Sequence, residues 1–407
     1  MLFKKIIAYI LVVILLLSYF YGNSYFHEFL FKFNIVVLFL SFFFVKESFQ
    51  FRLSYLKSII FLFFTYNLIS LFFTPDLFSL DKFLKVIRYI MYLIAFIIMI
   101  NFSMPVFKKE CISLSRLVYL PVLGSFISII YFLYHGELRL MNCFNPSYPI
   151  HDGVKFGLLI IFLLFLFNKT TSKKEFFVIL ISISIISYAV FLTYSRTAIL
   201  AVVLTILSTC FFKFRSKGLL PIFSLIFATL LFIITPENIS SNNVTSYKVN
   251  NLAKEIIETQ HSDISFNEIS SLVERSDAGR FSLWKTIYKS MSGNEHIFGK
   301  GFLANHSFNE SHGICAIHPH SAFMFSYFHG GTILLLLHIL ILLEVFKISL
   351  KKIKNSNSFL LFLFIIYSFI PQFTNGESIF IIAKGFSECE IIFWIPVSLG
   401  LYYEYKS

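Results

Sequence analysis

Long apolar runs separated by short polar joints make up most of this chain, and one long polar stretch interrupts them. The runs fall near 6–21, 29–45, 58–73, 86–100, 117–134, 153–167, 176–193, 197–212, 219–234, 323–345, 358–371 and 387–403. Each is about 15 to 20 residues, the length a helix needs to cross a ~30 Å hydrocarbon layer. Runs such as Ile6 to Tyr21 do not alternate with period two, so helices rather than barrel strands are expected. The predicted fold class is an all-α polytopic membrane protein with about twelve transmembrane helices and one large helical extramembrane domain. The expected division is 1–234 for the first nine spans, 235–321 for the large loop domain, and 322–407 for the last three spans and a cytoplasmic tail.

Composition supports this class and removes others. Of 407 residues, 57% are hydrophobic and only 14% charged, against roughly 25% charged in soluble domains. The net charge of +12 does not point to nucleic acid, because the cations sit in alternate joints between the runs. One set holds Lys46, Arg52 and Lys57; Lys108, Lys109 and Arg116; Lys169, Lys173 and Lys174; Lys213, Arg215 and Lys217; and Lys347, Lys351, Lys352 and Lys354. The positive-inside rule makes those joints and both termini cytoplasmic. The turn at Thr74–Asp76, the loop His135–Asp152, the turn Tyr194–Ser195–Arg196, the large polar stretch and the loop Gln372–Lys384 then face the other side. Lys4-Lys5 ahead of an apolar run resembles a signal peptide, but no small-x-small site follows at Ser18 to Ser24, so an uncleaved first span is expected. Five cysteines show no CxxC spacing, which gives no sign of zinc or a redox pair; Cys143 and Cys315 are the two placed to pair outside the cytoplasm.

Within the polar stretch, Lys254–Gln260 and Glu274–Met291 read as helices. Phe281, Trp284, Tyr288 and Met291 form a stripe at spacings of three and four, with Ser276 or Asp277 as N-cap. Gly293, Gly299 and Gly301 then open a loop rich in Asn and His.

Several polar residues stand where the apolar pattern gives them no ordinary place. Arg196, after Ser195, occupies a turn with almost no loop, so its guanidinium lies at the outer interface or in the bundle; a bound anion and lipid phosphates are the two explanations. Lys82, Lys85 and Arg88 recur every three residues on the approach to the fourth span, fitting either a diphosphate or anionic headgroups. Arg280, at a helix start, is either an anion site or a solvated residue. His312, His318, His320 and His329 crowd one segment; no acidic or cysteine partner stands at ligand spacing, so no metal is assigned. A neutral imidazole suits general-base work on a sugar hydroxyl, while His312 and His329 have structural histidine as their ordinary reading. Glu377 is the acidic residue nearest this cluster, or a plain loop carboxylate.

These residues carry a resemblance to the O-antigen ligase family, within the ligase and polymerase superfamily of bacterial envelope polysaccharides. It rests on Leu192-Thr193-Tyr194-Ser195-Arg196-Thr197-Ala198, on Gly279-Arg280 ahead of a helix, and on His318-Pro319-His320-Ser321 opening the next span. The family pattern continues with nine residues, Gly, two residues, then Gly, Thr or Tyr; Gly331 matches and Leu334 departs. The motifs run from Phe191 to Leu334 and the topology covers the whole chain.

The resemblance implies an inverting, metal-independent glycosyltransferase of GT-C type in the bacterial inner membrane, with its large loop periplasmic and no cofactor. It would transfer O-antigen polysaccharide from undecaprenyl diphosphate to lipid A-core in lipopolysaccharide biosynthesis. Arg196 and Arg280 are then expected at the diphosphate and His320 at the acceptor hydroxyl, with His318, Ser321, Ser195, Lys82, Lys85, Arg88 and Glu377 as substrate-binding candidates. The alternatives are an O-antigen polymerase, using the same donor with a second lipid-linked repeat as acceptor, and a polysaccharide transporter or flippase. One dominant loop favours the ligase over the polymerase, and the lack of a visible inverted repeat disfavours the transporter.

Overall fold

A computed structural model describes residues 2–20, 29, 32–40, 54–71, 80–135, 139–144, 149–214, 219–234, 280–301, 304, 319–353, 358–374 and 388–405. The predicted helix 254–260, the caps Ser276 and Asp277, and His312, Cys315, His318 and Glu377 lie outside these residues, as does most of the predicted loop domain.

The described residues form helices and no strand. In order they are α1 (Leu2–Phe20), α2 (Tyr55–Ser70), α3 (Leu80–Arg116), α4 (Tyr119–His135), α5 (Pro149–Lys169), α6 (Lys173–Leu192), α7 (Arg196–Thr209), α8 (Leu219–Ile234), α9 (Arg280–Lys289), the one-turn α10 (Glu295–Phe298), α11 (Ala322–Lys352), α12 (Phe359–Thr374) and α13 (Glu388–Tyr405). Residues 32–40 are helical too, so every predicted span contains described helix. Among the described residues, Phe83–Phe107, His151–Lys169, Lys173–Leu192 and Ala322–Lys351 are long and apolar enough to cross a membrane, and five shorter helices are comparably apolar. The chain is a polytopic helical membrane protein.

Serine sets several helix starts. Ser54, Ser172, Ser195 and Ser321 each lie in extended backbone and accept a hydrogen bond from the amide three residues on, at 3.4, 3.5, 3.3 and 3.4 Å. Such a cap contributes about 1 kcal/mol. The α2 start is held further by Glu404 of α13, whose carboxylate accepts from Ser54 Oγ at 2.5 Å and from the Leu56 amide at 3.4 Å.

One predicted boundary is wrong. The fourth span was expected to end at residue 100, yet α3 runs through Pro105 to Arg116. Proline removes one backbone donor without forbidding continuation, and side-chain partners hold the polar extension: Glu110 pairs with Lys5 of α1 at 3.2 Å and accepts from Tyr9, and Arg116 binds Glu175 of α6 through two bonds of 2.7 and 3.1 Å.

The core is aromatic. Trp394 of α13 is fully buried, stacked on Phe64 at 5.5 Å and edge-on to Phe63 and Phe393. Helix α12 touches α5, α7, α11 and α13. Its Tyr367 reaches into a notch at Gly157 of α5 and donates to the Val154 carbonyl at 2.8 Å; a Cβ at Gly157 would lie 2.3 Å from that hydroxyl oxygen.

Candidate functional site

Two turns of the same design carry the predicted catalytic residues Arg196 and His320. In the first, Tyr194 adopts φ 52°, Ser195 caps α7, and Arg196 is its exposed first residue. In the second, His320 adopts φ 52° and Ser321 caps α11. A left-handed residue other than glycine costs roughly 1–2 kcal/mol, and such residues gather at functional sites. In both turns the strained residue precedes the cap, which leaves Arg196 and His320 beside a helix N-terminus, an environment that favours negative charge.

Helix α5 backs the first turn. A Cβ at Gly153 would lie 2.8 Å from Thr193 Oγ1 and 3.0 Å from the Cβ atoms of Ser195 and Ala198. The preceding Asp152 is fully buried, accepting from the Asn142 amide at 3.0 Å and pairing with Lys155 at 3.2 Å. Leu140 N–H donates to the Leu192 carbonyl at 2.9 Å, so residues 139–144 strap α5 to the end of α6.

A chain of contacts joins the turns. Thr374, at the end of α12, donates its hydroxyl to the Ile370 carbonyl at 2.9 Å and therefore accepts from Thr197 at 2.8 Å. The adjacent Phe373 meets Trp284 of α9 edge-on at 5.7 Å. Trp284 Nε1–H donates to the carbonyl of Pro319 at 2.9 Å, directly before His320. Arg280 lies one turn before Trp284. The three predicted catalytic residues thus stand on elements that touch in sequence, and His320 itself is half-buried.

Helix α11 is broken just below His320. Gly331 has φ 62° and ψ −160°, a region only glycine enters readily. The break frees the carbonyls of Phe328 and His329, and residues 296–301 satisfy them: Lys300 and Gly301 donate their amides at 2.8 and 3.0 Å. Thr332 donates to the His296 carbonyl, Tyr66 of α2 to that of Phe298, and His329 Nδ1 lies 2.9 Å from the Gly301 carbonyl oxygen. His329 is a buried structural residue. The same break explains Leu334: a Cβ at Gly330 would lie 2.3 Å from the Leu334 Cβ, so glycine at 330 makes the space that a glycine at 334 would otherwise give.

Beneath the turn, His338 is fully buried between Ser326 and Gln372, at 2.9 and 3.1 Å, with Phe323 stacked on its ring at 4.7 Å.

Other candidates fare differently. Lys85 and Arg88 are exposed on the first turns of α3, and the contacts joining Arg196 to His320 do not run through them; Lys82 is helical and its side chain lies outside the description. Cys143 is a free thiol with Ser128 Oγ 3.3 Å away; Cys315, with which it was expected to pair, lies outside the described residues. The predicted stripe on α9 needs correction. Leu283, Ile287 and Met291 are the buried face, whereas Phe281 is 65% and Tyr288 57% exposed, because α11 packs on the 283–287–291 side and leaves the large rings outward. Asp152, Lys155, Gln372 and Thr374 were not singled out from sequence; a carboxylate and an ammonium opening the apolar run at 153–167 were the available signal for the first two.

Residues 178–339 match the family model described as O-antigen ligase. That segment holds the Arg196 turn, Arg280, His320 and the Gly331 break, while α5 and α12, which support them, lie outside it. No curated protein matches the chain. Over residues 178–339, about two fifths of its length, the chain is similar to the O-antigen ligase family.

Proposed function

We propose that the protein is an O-antigen ligase of the bacterial inner membrane, moving polysaccharide from undecaprenyl diphosphate to lipid A-core in the periplasmic leaflet. The observation that supports this reading is the contact chain from Thr197 through Thr374, Phe373 and Trp284 to Pro319, which links the elements that carry Arg196, Arg280 and His320 within the family-matched segment. The two capped turns lie at one end of the bundle. Lys5–Glu110 and Arg116–Glu175, in joints the positive-inside rule makes cytoplasmic, lie on the far ends of α3 and α6.

In this mechanism a hydroxyl of the acceptor sugar attacks the anomeric carbon of the donor from the face opposite the diphosphate. His320 takes the hydroxyl proton, a step typically worth 10²–10⁴-fold. The bond between the anomeric carbon and the diphosphate oxygen breaks with its electron pair, and undecaprenyl diphosphate leaves. Arg196 and Arg280 stabilise the charge developing there, aided by the dipole at the N-terminus of α7. Both substrates are lipid-anchored in one leaflet, so orientation supplies much of the remaining rate. The twelve spans form a GT-C-like scaffold with a lipid-facing groove for the polyprenyl tail.

The test is lipopolysaccharide electrophoresis of a deletion strain complemented with wild type, His320→Ala, Arg196→Ala or Arg280→Ala. Loss of capped core, with polymer retained on undecaprenyl diphosphate, is expected for the deletion and all three variants at normal membrane levels. Core carrying a single repeat would instead identify a polymerase, and normal long-chain lipopolysaccharide in all three variants would reject the proposal.

A further inference from the structure

The outward face of α9 is aromatic although the helix itself is polar. Phe281 and Tyr288 stand seven residues apart, mostly exposed, about 10 Å along the axis, and Trp284 lies between them with its ring edge-on to Phe281 at 5.3 Å. Tyr288 is extended by His296, whose ring is 4.6 Å away, and by Tyr327, parallel to it at 6.3 Å and within 2.6 Å of His296 Nδ1. Lys285 and Lys289 are exposed on the same helix, which argues against its immersion in hydrocarbon. Large rings in water beside fixed polar groups are costly unless something covers them.

We propose that Phe281, Trp284 and Tyr288 form a glycan-binding platform on which the sugar chain of the lipid-linked donor lies by its apolar ring faces. This rests on the glycosyl-transfer reading above. The donor, rather than the acceptor, is the occupant because its first sugar is bonded to the diphosphate placed at Arg280, and the row begins at the next residue and runs away along α9. The rings offer flat apolar faces, and the Tyr288 hydroxyl, His296 and the two lysines offer polar groups at their edges, a pairing that suits pyranose rings with apolar faces and hydroxyl rims. Trp284 ties the platform to the chemistry through its hydrogen bond to Pro319.

Trp284 also provides the assay, since the only other tryptophan, Trp394, is sealed in the core. Purified full-length protein in nanodiscs is titrated with delipidated polysaccharide released from the host cell's own lipopolysaccharide, and tryptophan emission is followed. A saturable change is expected, weakened roughly tenfold in Phe281→Ala/Tyr288→Ala and much less in Tyr288→Phe, which keeps the ring face and loses only the hydroxyl. Both alanine changes are at exposed positions, and size-exclusion profiles confirm folding. No saturable response, a response equal in the double variant, a response to core oligosaccharide alone, or one only to bare anionic lipid vesicles overturns the platform; the last makes the row a membrane-surface belt. Polysaccharide binding by a wild-type protein that fails the lipopolysaccharide assay leaves the platform standing and sinks the transferase reading.

Discussion

Gly331→Ala is the sharpest test of how this bundle holds His320. A Cβ at that position would lie 2.2 Å from the Ile297 carbonyl oxygen, 2.3 Å from its carbon and 2.6 Å from the Phe298 nitrogen, all backbone atoms with no rotamer to adopt. Either α11 straightens or residues 296–301 withdraw. The backbone conformation alone costs of order 1–3 kcal/mol for a residue with a side chain. Withdrawal removes the Lys300–Phe328 and Gly301–His329 hydrogen bonds, each worth about 0.5–1.5 kcal/mol, so the sum is about 2–6 kcal/mol. At 1.4 kcal/mol per decade, opening of this segment should rise roughly 30-fold to 10⁴-fold. Hydrogen exchange read by mass spectrometry at the Lys300 and Gly301 amides measures it directly. Gly293→Ala is the control, because a Cβ there meets nothing within 4 Å. Unchanged protection of those two amides in Gly331→Ala would show that residues 296–301 do not close the break.

Further outcomes follow from the same geometry. Gly330→Ala should reduce thermal stability in detergent, and Leu334→Gly added to it should be less harmful than the two single losses combined, a positive coupling in a double-mutant cycle. Gly157→Ala should lower stability by about 1–3 kcal/mol by displacing the Tyr367 hydroxyl from Val154; equal melting of variant and wild type counts against the notch. Hydrogen bonds from Tyr9 and Lys5 hold the Glu110 carboxyl below its ordinary range. A depressed carboxylate stabilises above its unfolded pKa of about 4.3 and loses that contribution as pH falls through the folded value. The melting difference between wild type and Glu110→Gln should therefore shrink below about pH 4, and a difference constant into strong acid refutes it.

Much of this was legible from residue order. Apolar runs located the helices, and Ser195-Arg196 and His320-Ser321 read as helix starts because serine caps and the return of the apolar pattern are local signals. What stayed hidden depends on partners far away in sequence. The extension of α3 past Pro105 rests on Lys5 and Glu175; the outward rings of α9 follow from which side α11 covers; and the break at Gly331 is intelligible only with Lys300 and Gly301 in place. The role of Gly330 beside Leu334 likewise emerges only once the backbone bend is known.

The imidazole locked between Ser326 and Gln372 has a bearing on which helices can part. Parting α11 from α12 would keep the Ser326 bond within α11 but leave the ring Nε2 and the Gln372 amide oxygen in a medium with no water to replace either, a loss of roughly 2–6 kcal/mol. These two helices should therefore travel as a single body, carrying the strained histidine turn with them, and any parting of helices must open along some other seam of the protein.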